Sequence, residues 1–292
     1  LHVIQQSSTK CYAMIYQYIA PSPYLQEYVR DYLVAHFVFD KTQDIPFKSY
    51  SPKPEQTITF LPRGGLTIMN PLTNEAQTAP SVSVCGQQVS RYNFYLSSEY
   101  LMLRVHFHAG ALYRLLRVPL IEFTDSWFDA TSVINNEVRE VNERLANCTG
   151  YTSMIGIVED YLLQKIKSVN NDTHPLDKAA ACIAADPSRF SLDWLASQSC
   201  LCARQFNRKF TERMGVGPKF YSRIVRFYKA YAYKETHPQD DWLTVALLFG
   251  YNDYQHMAKD FKQFAQVTPN IWINQDNQSP ERILQLERLT NT

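Results

Sequence analysis

The stretch Cys202–Met214, CARQFNRKFTERM, decides how this chain is read. On a helical wheel Ala203, Phe206, Phe210 and Arg213 share one face, and Arg204, Arg208 and Thr211 share the opposite one. Asn207 falls on the shoulder between them. The spacing predicts an amphipathic helix with an apolar back. Its exposed face offers guanidinium and amide groups, the side chains that best match base edges in a DNA major groove. A solvated basic helix would look the same, so the segment is not decisive alone. Its weight comes from a second copy about fifty residues later.

Phe206, Phe210, Val216 and Pro218 return as Met257, Phe261, Val267 and Pro269, each displaced by 51, and Tyr221 returns as Trp272. Upstream, Ala196 pairs with Ala246 and Leu201 with Tyr251 at an offset of 50, so one turn residue is inserted near Asn252. Each unit predicts a helix, a tight turn of three or four residues and a second amphipathic helix, which is the helix-turn-helix layout. In the second copy Met257, Phe261 and Phe264 form the buried face. Gln255, Ala258, Lys259 and Lys262 form the opposite face, with Tyr254 and His256 on its flanks. Asp253 precedes this helix as an N-cap. Asp260 lies about 140° from Gln255 at about 100° per residue and is expected to avoid the groove.

Around these units the chain is of globular composition. It has 292 residues, 45% apolar and 20% charged, enough for two domains that each bury a core. The net charge of +1 hides an asymmetry: residues 1–172 carry 14 basic and 16 acidic side chains, whereas residues 173–275 carry 13 and 9. That excess points to a polyanion partner for the C-terminal third alone. The six cysteines show neither metal-knuckle spacing nor disulfide-framework density and read as reduced thiols. With no membrane-length apolar run and no signal-peptide layout, the expected location is the cytoplasm.

From Tyr32 to Phe107 the residues alternate or are β-branched: 32–39, 56–61, 66–69, 81–85 and 100–107, punctuated by Pro and Gly. Many short strands without helices between them predict an antiparallel sandwich or barrel. A short helix is expected within Pro21–Tyr32. Another is expected at Leu112–Leu116, stopping before Pro119. Ile134, Val138, Val141 and Leu145, then Ile155, Val158, Leu162 and Ile166, predict two amphipathic helices. These would pack on the sheet or form a hairpin that pairs with a second subunit. The polar run Ser168–His174 reads as a linker, followed by helices at 175–185, 191–198, 202–214, 218–236, 241–249 and 253–264 and a short one after Pro269.

At these residues the sequence resembles the AraC/XylS family of bacterial transcription regulators. The resemblance rests on Leu195-Ala196, Arg208-x-Phe210, Gly215-Val216-x-Pro218, Arg226-x-x-x-Ala230, Ala246-x-x-x-Gly250-Tyr251, Phe261-Lys262 and Val267-Thr268-Pro269. It implies two DNA-reading motifs bridged by one long helix, here about 218–236. Base-reading residues would be Arg204, Asn207 and Arg208 in the first motif and Tyr254, Gln255 and Lys259 in the second, with Lys262 beside them. Several positions depart from the pattern: Cys202 replaces the usual serine cap, Met257 a phenylalanine or leucine, Lys259 an arginine, and Ala265-Gln266 a Phe-Gly pair. Lysine lacks arginine's bidentate fork, so the second motif is expected to grip phosphates more than read bases.

Phe107–Leu116 and Leu120–Asp129 resemble the cupin-like sensor domains fused to this family. The implied chain is α+β and multidomain. Residues 1–168 form an antiparallel β barrel or jelly roll used for sensing or dimerisation, with a helical pair at about 133–168. A linker at 169–174, an all-α double helix-turn-helix at 175–275 and a tail at 276–292 follow. Expected partners are double-stranded promoter DNA, a small-molecule effector, a second copy of the chain and, for an activator, RNA polymerase, with no membrane and no cofactor.

Two other classes remain open. One is a metal-dependent cupin-type enzyme with a DNA anchor, prompted by His106-x-His108, which alternation sends to one face. No carboxylate completes a metal triad there, so a polar lining or solvent face is expected. No nucleophile elbow, P-loop or dinucleotide fingerprint occurs either, so no enzymatic activity is expected. The other is a degenerate regulator acting through protein contacts, prompted by the weakened second motif.

Overall fold

The computed structural model describes residues 14–40, 42, 44–167 and 174–286. Ten strands come first: β1 Ile15–Ile19, β2 Val29–Val38, β3 Lys48–Tyr50, β4 Gln56–Arg63, β5 Leu66–Met69, β6 Ala76–Thr78, β7 Val82–Cys85, β8 Tyr92–Leu96, β9 Glu99–Phe107 and, after helix α1 (Ala111–Leu116), β10 Trp127–Asp129. They pair antiparallel into a six-stranded sheet, β1-β2-β9-β4-β7-β10, and a four-stranded sheet, β3-β8-β5-β6. Among the described residues the larger sheet ends at β1 and β10, so the architecture is a sandwich and not a closed barrel.

The near-continuous apolar runs of β2 and β9 follow from burial on both faces. Tyr32 and Val34 pack in one core with Leu101, Leu103, Val105 and Phe107, while Leu33, Ala35 and Phe37 pack in another with Tyr100 and Met102. Successive side chains point to opposite sides of a strand, so each strand feeds both cores. The second core lies against the smaller sheet. The first is covered by helices α1, α2 (Ala130–Val133), α3 (Glu137–Asn147) and α4 (Tyr151–Ile166). The two predicted amphipathic helices, now α3 and α4, therefore pack on the sheet through Val138, Val141, Leu145, Ile155, Val158 and Leu162.

Two local expectations are corrected. Pro21–Tyr32 is not a helix: Leu25 N donates to Ser22 O and Val29 N to Leu25 O as isolated turns, and β2 begins at Val29. Pro21 and Pro23 lack amide donors, and Pro23 holds Ser22 out of helical geometry. The amphipathic run from Ile134 is broken as well. Asp129 caps α2 by accepting from Thr131 N, and a new helix starts at Glu137.

The helical part comprises α5 (Pro175–Ala185), α6 (Leu192–Gln198), α7 (Ala203–Met214), α8 (Pro218–Thr236), α9 (Trp242–Leu248), α10 (Tyr254–Phe264), α11 (Pro269–Asp276) and α12 (Pro280–Ile283). The predicted linker lies, except for His174, outside the described residues. His174 caps α5 by accepting from Leu176 N. The tail forms one helical turn, α12, and residues 287–292 also lie outside the described residues. No helix of the described residues is long and apolar enough to cross a membrane.

Where the two parts meet lies a cluster of ionisable groups. His106 is buried, with Nδ1 2.6 Å from Asp31 and Nε2 3.5 Å from Glu55. His108 lies past the end of β9, where alternation stops, and is exposed, so the two histidines do not share one environment. Among the described residues no group of three His, Cys, Asp or Glu could hold a metal. Burial pushes the Asp31 and Glu55 carboxyls up. His106 and Arg30 outweigh it at Asp31, and His106, Lys53, Arg104 and Arg30 outweigh it at Glu55, holding each at about 2. Burial also keeps His106 below its ordinary 6.5. The unfolded chain titrates Asp31 and Glu55 near 3.8 and 4.5, so their stabilising contribution is complete above the upper of these and is lost as pH falls through about 2. The thermal midpoint should therefore drop between about pH 5 and pH 2.5, and drop less in Asp31→Asn, as read by circular dichroism.

Candidate nucleic-acid interface

The two helix-turn-helix units repeat in backbone detail as well as in sequence. In the first, Ser191 caps α6 by accepting from Trp194 N, the turn places Cys200 at φ 53°, and Leu201 N donates to Ala196 O at 3.0 Å. In the second, Asp241 caps α9 by accepting from Leu243 N and Thr244 N, Gly250 takes φ 74°, and Tyr251 N donates to Ala246 O at 2.9 Å. Each turn thus has a left-handed residue at the same place and closes with the same hydrogen bond. The residue inserted in the sequence lengthens the second turn: four residues separate α6 from α7, and five separate α9 from α10.

Both reading helices are held by their backs. Phe206, Phe210 and Met214 of α7 are fully buried, as are Met257, Phe261 and Phe264 of α10. The connecting helix α8 serves both cores, giving Tyr221 and Val225 to the first and Ile224, Phe227, Ala230 and Tyr231 to the second. Each helix also carries a buried ionic tether. The Arg213 guanidinium donates through Nε and Nη2 to the two oxygens of Asp177 on α5, at 2.8 and 2.6 Å. In the second unit Asp260, 1% exposed, accepts from Arg223 at 2.6 Å and from the Tyr251 hydroxyl at 3.0 Å, with Arg226 3.7 Å away. Asp260, which the helix angle directs away from the groove, faces inward as a latch between α10 and α8.

The opposite faces are bare. Arg204, Asn207 and Arg208 are exposed on α7, and Tyr254, Gln255, Lys259 and Lys262 are exposed on α10. Ala258 and His256 are half-buried beside them. Every α7 and α10 acid is occupied elsewhere: Glu212 accepts from the Tyr113 hydroxyl at 3.0 Å, and Asp260 is latched. Asp253 caps α10 by accepting from His256 N at 2.6 Å. The bare faces therefore present cations and amides with their negative charges turned away, an arrangement suited to a polyanion with readable edges.

The structure separates the motifs in one respect. α7 begins at Cys202 with no side-chain cap, whereas α10 is capped by Asp253. At the other end α7 stops on Gly215 at φ 83°, and the matching residue after α10 is Gln266 at φ 63°, a left-handed position that disfavours any side chain. Sequence reasoning missed the partners of the tethers. Asp177 and Arg223 lie 36 and 37 residues from the groups they hold, and no periodicity joins them.

Residues 17–129 match the family model DUF6597, described as a domain of unknown function. No curated protein matches the chain. Similar solved structures include ToxT from Vibrio cholerae in a P21 form, 11% identical with a TM-score of 0.48 over 84% of this chain and 98% of that one. A ToxT structure with an unsaturated fatty acid bound is 12% identical, TM-score 0.47, over 83% and 94%. The AraC-like transcriptional activator CuxR is 14% identical, TM-score 0.27, over 69% and 77%.

The latch is testable apart from DNA. Asp260→Ala strands two arginines against a buried site and should cost about 3 kcal/mol in urea unfolding, while Lys259→Ala on the bare face should stay within about 0.5 kcal/mol. Unfolding is read by intrinsic tryptophan fluorescence, to which Trp242, 5.4 Å from Phe261, contributes from within the unit.

Proposed function

We propose that this chain is a sequence-specific DNA-binding transcription regulator of the AraC/XylS type. One observation carries the reading: a helix-turn-helix unit written twice, with the same turn hydrogen bond, whose two second helices expose basic and amide side chains and bury or cap their acids. Residues 175–275 act as the DNA-binding domain, and the preceding β-rich part with α3 and α4 acts as the sensor or dimerisation domain. Arg204, Asn207 and Arg208 supply base readout. Lys259 and Lys262 grip phosphates, with Tyr254 and Gln255 at the groove edge.

Effector control is supported by a cavity of about 550 Å³ at the seam between the two parts, lined by Tyr18, Arg30 and Lys53 on one side and Tyr228, Tyr231 and Glu235 on the other. A ligand there touches both parts at once, which is what differential binding to two arrangements requires. ToxT has been solved with an unsaturated fatty acid bound, a precedent for a small-molecule effector.

Selection from random double-stranded DNA with the full chain should yield a bipartite sequence, and binding should weaken with a steep salt slope. Arg208→Ala should weaken binding to the selected sequence by about 1–3 kcal/mol and relax one position, while barely changing binding to random DNA. Equal losses on both DNAs, or no selected sequence, would overturn the assignment.

A further inference from the structure

The β-rich part reaches into the helical part at both reading units at once. The part of this contact that spans both units is the segment between β7 and β8, residues 86–91, together with its neighbour Thr124. Of all apolar residues packed against the two helix-turn-helix cores, Val89 and Phe220 belong to both. Phe220 lies on α8, which already joins the units. Val89 comes from the β-rich part and sits between the two cores as a wedge. Two residues on, the buried Arg91 donates from Nη1 to Ala265 O at 3.0 Å, the carbonyl that follows α10. Its Nη2 donates to Ser49 Oγ on β3 at 3.0 Å, and its guanidinium lies 5.7 Å from the Trp272 ring on α11. On the other unit, Thr124 donates to Gly215 O at 2.9 Å, the residue that ends α7.

The wedge is stiff. Val89 N and Ser90 N both donate to Asp125 Oδ1 at 3.0 Å, the Tyr92 hydroxyl donates to Asp125 Oδ2 at 3.1 Å, and Gln88 Nε2 donates to Tyr50 O at 3.2 Å. The β-rich part thus holds the C-terminal ends of both reading helices to one rigid edge. Their bare faces stay free.

We propose that Val89 and Arg91 are positioning residues that set the spacing between the two DNA sub-sites the chain accepts. This rests on the DNA-binding reading above. Two helices that read separate stretches of one duplex must keep a fixed separation and phase. One inserted base pair moves the second sub-site by about 3.4 Å and turns it by roughly 35°. The bridging helix packs into both cores and latches α10 through Asp260, but it leaves the C-terminal ends of α7 and α10 room to rock. A wedge between the cores and hydrogen bonds at both helix ends remove that freedom.

The test measures full-length chain on the selected bipartite sequence with zero, one or two base pairs added or removed between the sub-sites. Wild type should lose about tenfold in affinity per base pair of displacement. Val89→Ala removes the wedge's methyls. Arg91→Lys keeps charge and length but loses the planar fork that holds Ala265 and Ser49 together. Both variants should bind the undisplaced sequence nearly as well as wild type and lose only about threefold or less per displaced base pair. General destabilisation would lower binding equally at every spacing and leave the profile's shape intact. A steep, unchanged profile in both folded variants would overturn the inference and assign the spacing to α8 alone. Failure of the wild type to select any bipartite sequence would instead overturn the DNA-binding reading and this inference with it.

Discussion

A helix that offers one whole face to solvent can be held only through its opposite face and its ends, and this constraint arranges the helical part of the molecule. α7 and α10 each spend three large apolar side chains and one buried ionic tether on their backs. Burying those apolar groups supplies the attraction, about 1.5–3 kcal/mol for each side chain. The tethers act differently. A buried ion pair adds little net stability, but it tolerates little displacement, because an unpaired buried charge is costly. Asp177–Arg213 and Asp260–Arg223 therefore fix where each helix lies along its neighbour more than how strongly it is held.

The same constraint explains which parts of the molecule were legible in the sequence. The repeated units were legible because their determinants are local: Phe206 and Phe210 recur at helical spacing, and Ala196–Leu201 recurs as Ala246–Tyr251 because one turn geometry demands both. The long strands β2, β4 and β9 were legible from β-branched and aromatic runs. The three-residue strands β3, β6 and β10 were not, since three residues carry no period. Asp177, Asp125, Val89 and Arg91 were invisible for a different reason. Each acts on residues tens of positions away, and nothing in its own neighbourhood distinguishes it from a surface polar or loop residue. The expected pairing of His106 with His108 on one face fails because alternation assumes a strand through His108, whereas β9 ends at Phe107.

The two reading heads are unequal in a way that residue types alone only half disclose. The first bears the richer chemistry, two arginines and an asparagine, on a helix without a side-chain cap. The second bears lysines on a helix capped by Asp253 and latched by Asp260 to Arg223 and Tyr251. A lysine contact with a phosphate needs no fixed geometry, whereas a bidentate arginine contact with a base does. Both helices carry a buried tether, Asp177–Arg213 on α7 and Asp260–Arg223 on α10, so the cap at Asp253 is what sets the second helix apart.

Under the proposed effector control the β-rich part also positions the two helices. Lys53 lines the seam cavity, and its carbonyl accepts from Gln87 Nε2 at 2.7 Å, in the same short segment that carries Val89 and Arg91. Asp125 pins that segment, and the adjacent Thr124 holds the end of α7. A ligand that shifts Lys53 therefore acts on a piece of backbone already bonded to both reading units. Such contiguity becomes regulation only if the segment has two settings that the ligand distinguishes. Its dense hydrogen bonding favours two discrete settings over gradual drift, because partial displacement would leave buried donors on Gln87, Gln88 and Arg91 unpaired. Signal transmission through this seam would thus take the form of a change in the allowed spacing of the two heads, leaving the chemistry of each intact.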